Sequence, residues 1–124
     1  MRTMTISDWV VRLAGVTALV LGLLMWIANL SLNTVHILVG LIVTFALLAM
    51  SALAVSTNEL RVLGIIGLVY SGILPLLGLT QENLLTSNLH WVIQVLHLLV
   101  GIGAMALAGI IGARYQRLQK AQTS

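Results

Sequence analysis

Cysteine is absent from the chain, which excludes disulfides, thiolate metal sites and redox thiols, and leaves the compartment unread from that source. Charge is nearly as scarce: Asp, Glu, Lys and Arg make up 7% of 124 residues, where a soluble globule carries about a quarter. The three acidic residues, Asp8, Glu59 and Glu82, fall near helix ends or in loops, where they are expected to be solvated rather than catalytic. No Asp, Glu, Lys or Arg lies embedded in a long apolar run, which removes the charge that a small exporter of cationic drugs needs. No nucleophile–base pair, phosphate-binding glycine loop or metal-spacing His/Cys motif occurs.

What the chain does have is apolar surface. Hydrophobic residues make up 60% of it, and the mean hydropathy is +1.10. So small a domain cannot hide that much apolar surface from water, so lipid is its expected solvent. A bilayer core of about 30 Å needs about 20 apolar helical residues. Four segments qualify, at about Trp9–Leu30, Thr34–Val55, Leu60–Leu79 and Leu89–Ala113. The first apolar run, Leu13 to Leu30, is longer than a signal-peptide core and has no small-x-small site after it, so it reads as a permanent span. The single proline, Pro75, sits inside the third span, where neighbouring helices can satisfy the carbonyl it frees.

The basic residues set an orientation. Arg2, Arg12, Arg61, Arg114, Arg117 and Lys120 all fall on one side of a four-span chain, and the other side has only Glu82. By the positive-inside rule both termini are expected in the cytoplasm, with the chain in a bacterial inner membrane. At helix ends these residues read as orientation signals, and no nucleic-acid partner is expected. The tail 114–124 is basic and suits anionic lipid head groups. The tryptophans Trp9, Trp26 and Trp91 fall near the expected interfaces as belt anchors.

The chain also repeats itself. Arg12-Leu-Ala-Gly15-Val-Thr-Ala18 and Gly22 match Arg61-Val-Leu-Gly64-Ile-Ile-Gly67 and Ser71-Gly72, and His36-Ile-Leu-Val-Gly40 matches His97-Leu-Leu-Val-Gly101. The fold class read from this is all-α: a four-helix transmembrane bundle of two duplicated hairpins, about 9–56 and about 60–113, in a single domain. Both hairpins run in the same sense, so a pseudo-two-fold axis along the membrane normal relates them.

That symmetry places His36 and His97 on parallel helices. His36 stands 20 residues from Ser56 and His97 stands 17 from Arg114, a difference in depth of only about 5 Å at 1.5 Å per residue. Two histidines facing each other across a bundle axis can supply both axial ligands of a b-type haem. Gly40 and Gly101, one turn away, leave room for a flat macrocycle, and the stripes Gly15–Ala18–Gly22 and Gly64–Gly67–Ser71 can admit its edges. On the fourth helix His90, Gln94, His97 and Gly101 share one face. His90 and Gln94 are therefore candidates for contact with a quinone head group or with haem propionates. Asn33 and Asn88 are further candidates for the propionates, because this side has no Lys or Arg.

The two His-x-x-x-Gly segments resemble those of the small bis-histidine, four-helix membrane cytochromes b, including the haem A synthase-like bundles. The resemblance covers those segments only. The charged motif residues that such synthases carry beside their histidines are missing here, so the resemblance does not imply their activity. It does imply an electron-transfer role for a haem b held by His36 and His97, with quinone as a partner. Three alternatives stand beside it: histidines that serve a polar network, a different ligand such as a quinone or a metal at the same pair, and a non-enzymatic assembly subunit. The last would self-associate or pack against a partner in a larger membrane complex through its glycine-rich faces.

Overall fold

The computed structural model describes residues 2–123, which form four long helices. They are α1 (Arg2–Ile27), α2 (Asn33–Val55), α3 (Arg61–Thr80) and α4 (His90–Thr123). Each is long and apolar enough to cross a membrane. The connections are short where the sequence turns polar. At the α1–α2 turn Asn29 takes a left-handed φ of 56°, and the Leu30 amide reaches back to the Leu24 carbonyl at 3.5 Å. Asn is one of the few residues that accept the left-handed position, which here turns the chain at the helix end. One-turn 3-10 segments at Asn58–Leu60 and Gln81–Asn83 lead into and out of α3.

Helices adjacent in sequence pack side by side and antiparallel, and α4 closes the ring against α1. α2 and α4 meet across the diagonal, whereas α1 and α3 stand apart. The start of α1, the end of α2, the start of α3 and the end of α4 thus share one end of the bundle, together with the basic residues. The packed core lies in that half. Met4, Val11, Leu47, Met50, Ala54, Ala104, Ala108 and Ile111 are fully enclosed there. Among helices that pack in an apolar medium, close contact between small side chains supplies the attraction. Hydroxyls in the bundle are mostly satisfied within their own helices, as when Thr44 donates to the Gly40 carbonyl at 3.0 Å and Thr80 to the Leu76 carbonyl at 2.6 Å.

The tightest approach is between α2 and α3. A Cβ on Gly64 would stand 2.5 Å from the Val55 amide nitrogen and 2.8 Å from the Ser51 carbonyl oxygen, and one on Gly67 would collide with the Ser51 side chain. The Gly64–Gly67–Ser71 stripe is therefore a packing surface for α2, not an edge that admits a ligand. Because the obstructing atoms at Gly64 are backbone, the helices must separate to accept even a methyl group. Gly64→Ala is expected to cost about 1–3 kcal/mol of stability, read as a lower midpoint of thermal unfolding in detergent.

Two helices run past their expected limits. α1 begins at Arg2 rather than near Trp9, because Met4, Ser7, Asp8, Val11 and Gly15 form one buried face against the bundle. α4 continues to Thr123, so its 34 residues extend about 51 Å at 1.5 Å per residue and carry Arg114, Arg117 and Lys120 beyond the apolar part.

Candidate functional site

The half of the bundle opposite the core is open along its axis. A cavity of about 290 Å³ runs between all four helices. Its α2 wall reaches from Asn33 to Thr44, about 16 Å of helix at 1.5 Å per residue. His36 from α2 and His97 from α4 face each other across it, on the diagonal pair of helices. Their ring centroids are 6.0 Å apart and their planes are inclined by 74°. The histidine on each hairpin's second helix thus meets its counterpart at the same depth.

Each ring is seated against a glycine on the preceding helix. His36 Cε1 lies 3.2 Å from where a Cβ on Gly22 would stand, and His97 Cε1 lies 3.1 Å from the same point on Gly78. Any larger residue at either glycine pushes an imidazole into the cavity. The matched seats show that the two hairpins correspond at the site as Gly22 to Gly78. Aligning the repeat from its arginines sets Gly22 opposite Ser71 and Gly72 instead. Nδ1 of both rings is enclosed without a hydrogen-bond partner. Nε2 of neither ring is enclosed in this way.

Gly40 and Gly101 both line the cavity, and a Cβ on either would meet no atom within 4 Å. Nothing in the packing of the helices requires glycine at these two positions; their missing side chains widen the cavity. Gly15, Ala18 and Gly22 also line it, with Met105 filling the space beside Gly15 at 2.8 Å. Gly64, Gly67 and Ser71 do not.

The outer opening is polar. Asn33, Gln81, Glu82, His90 and Gln94 line it, with Trp26 at the wall, while Asn88, Trp9 and Trp91 lie outside the cavity. His90 Nδ1 is 3.2 Å from the Leu84 carbonyl oxygen. The next residue, Leu85, holds a left-handed φ of 44°, a conformation that costs a residue with a Cβ about 1–2 kcal/mol. The signal available for Gly78 was its place near the end of α3, as Gly22 lies near the end of α1. The parts played by Gln81 and Glu82 had no such signal, because they depend on how the loop before α4 folds. Among the described residues no three His, Asp or Glu side chains converge to hold a bare metal ion.

Asp8 is not solvated, contrary to its expected place at a chain end. Its residue is 6% exposed, packed on the α1–α4 seam where a Cβ on Gly112 would stand 3.1 Å from its Cγ. One carboxylate oxygen meets Arg12 at 3.1 Å, and the other has no partner. The Arg12 guanidinium in turn lies over the Trp9 ring, 5.8 Å from its centroid. Removing the arginine alone strands a buried charge, so Arg12→Met is expected to cost about 1–3 kcal/mol. Asp8→Asn added to that variant is expected to recover most of the loss, read by thermal unfolding of both proteins.

Comparison with known proteins gives no match, neither to a family model nor to a curated protein nor to a solved structure.

Proposed function

We propose that this chain is a small multi-pass membrane cytochrome of the b type, or the haem-bearing membrane subunit of a larger complex, with His36 and His97 as the axial ligands of one haem. The observation that carries the reading is the pair itself. Two imidazoles from diagonal helices stand 6.0 Å apart across a cavity with open flanks at Gly40 and Gly101. A metal–imidazole bond is about 2.0–2.1 Å, and with the ring radii added two imidazoles on one metal stand roughly 6 Å apart. Two protein ligands and no third suit a metal whose other positions are filled by its own macrocycle. The orphaned Nδ1 atoms agree with this: a ring that binds through Nε2 keeps its proton on Nδ1.

Bound there, haem supplies reversible one-electron exchange. The protein's own part is to hold the iron through His36 and His97, to exclude water with the apolar walls, and to offer the amides of Asn33, Gln81 and Gln94 to the carboxylates at the opening. The distribution of Lys and Arg supports both termini in the cytoplasm and the opening on the outer face of a bacterial inner membrane. From there lipid-soluble quinone is the accessible redox partner. One haem near the outer face does not carry electrons across the bilayer, so a further protein completes the path.

The alternative, a structural subunit that associates through glycine faces, has lost much of its surface. Gly64, Gly67 and Gly112 are consumed by contacts inside the bundle, and Gly72 and Gly109 remain outside the cavity with open space beside them. The test is haem content. Protein expressed with ample haem and extracted in mild detergent is expected to hold close to one haem per chain. Less than about a tenth of that, in folded protein, contradicts the reading.

A further inference from the structure

We infer that the cavity's opening is a subsite that accepts hydroxyl groups, and that its ligand is the reduced, hydroquinone form of a lipid-soluble quinone rather than the oxidised form. The inference rests on the reading of the cavity as a redox site and adds the form of the partner that it holds.

The polarity of the opening is set by atoms that have no choice of role. A backbone carbonyl can only accept, so the 3.2 Å contact between the Leu84 oxygen and His90 Nδ1 places the proton on Nδ1. In the neutral ring Nε2 then carries a lone pair and is an acceptor. Within the described residues the His90 side chain makes no other hydrogen bond. The carbonyl is aimed by the Leu84–Leu85 peptide, and Leu85 holds the left-handed φ of 44° that this direction requires. The tautomer of His90 is thus fixed by backbone held in an unfavourable conformation.

Glu82, the other ionisable group at the opening, is an acceptor with no proton to donate when ionised. No Lys or Arg lies on this side of the bundle to balance it. Asn33, Gln81 and Gln94 carry amides that can donate or accept, so they adapt to either form of a ligand. The two fixed groups do not adapt. A quinone carbonyl set against them pairs acceptor with acceptor and makes no hydrogen bond to either. A hydroquinone O–H donates to His90 Nε2 or to Glu82, while its apolar ring and tail meet the leucine, tryptophan and methionine walls.

The test titrates the detergent-solubilised full chain, without oxygen, with a decyl-benzohydroquinone, its quinone and its dimethyl ether, and measures affinity by calorimetry. The hydroquinone is expected to bind about tenfold more tightly than the other two, the worth of a hydrogen bond that would otherwise be left unmade. His90→Phe is expected to bring the three within about twofold, and His90→Gln, which keeps an acceptor, to retain part of the preference. An ether or a quinone that binds as well as the hydroquinone overturns the inference, and needs no variant to fold. So does a preference that survives in His90→Phe combined with Glu82→Gln. Haem content measured on the same samples separates the two readings. A haem-loaded protein without the preference overturns the hydroquinone subsite alone, and a preference in protein that takes up no haem overturns the cytochrome alone.

Discussion

Alanine at His36, or at His97, is expected to abolish the six-coordinate haem while leaving the bundle folded. Each imidazole comes from a different hairpin, and no third acid or imidazole converges with them to take over as a ligand. Loss of a first ligand must exceed the 10–100-fold that altering a ligand's outer partners removes, so affinity is expected to fall by more than about 100-fold. Stability without haem is a separate matter. Both histidines lie outside the enclosed core, and each buries an Nδ1 without a partner. Replacing such a group with an apolar one is near neutral or slightly stabilising. The two measurements are haem content and the thermal midpoint of haem-free protein. Variants that unfold but keep haem in proportion to the folded fraction would contradict the assignment.

Leucine at Gly40 or Gly101 tests the cavity from the other side. Neither position has an atom within 4 Å of an added Cβ, so a leucine there enters the space proposed for the macrocycle. Haem uptake is expected to drop by at least about tenfold, the cost of an overpacked site being about 1–3 kcal/mol or more. The helices themselves gain, because glycine in a helix interior is about 0.8–1.0 kcal/mol worse than alanine and leucine is close to alanine. Compared haem-free, the variants are therefore expected to be more heat-stable than the unaltered protein. Gly64→Ala, in the packed half, is expected to do the reverse. Uptake unchanged in Gly40→Leu and Gly101→Leu together would show that nothing occupies the cavity between them.

The four helices and their antiparallel order were legible in hydropathy and in the polar breaks, because a long apolar run in so small a chain has few ways to fold. The facing of His36 and His97 was legible in part. Their similar depth follows from counting helical rise from the ends of α2 and α4, whereas their facing was only implied by the hairpin repeat, since a rotation of about 100° would turn either ring away. What eluded the sequence depends on a second helix. Asp8 reads as a solvated acid until Gly112, more than a hundred residues later, supplies a surface without a side chain for it to lie against. The first turns of α1 read as a polar start until Met4 and Val11 find the core. The repeat drawn from its arginines misaligned the glycine seats, because Arg12 lies well inside α1 whereas Arg61 opens α3, and the longer loop before α4 then moves His97 further from its glycine. Gly22 precedes its histidine by 14 residues and Gly78 by 19. Measuring from the histidines' end of each hairpin brings Gly78 into view. The acceptor character of the opening was out of reach, since it rests on where one carbonyl points.

The most direct test of the central claim is an absorbance spectrum of the detergent-purified protein, oxidised and then reduced with dithionite. A Soret band that sharpens and shifts on reduction, with narrow α and β bands, is the result expected of a haem held by His36 and His97. A flat visible spectrum in folded protein, made in cells supplied with haem, would contradict it.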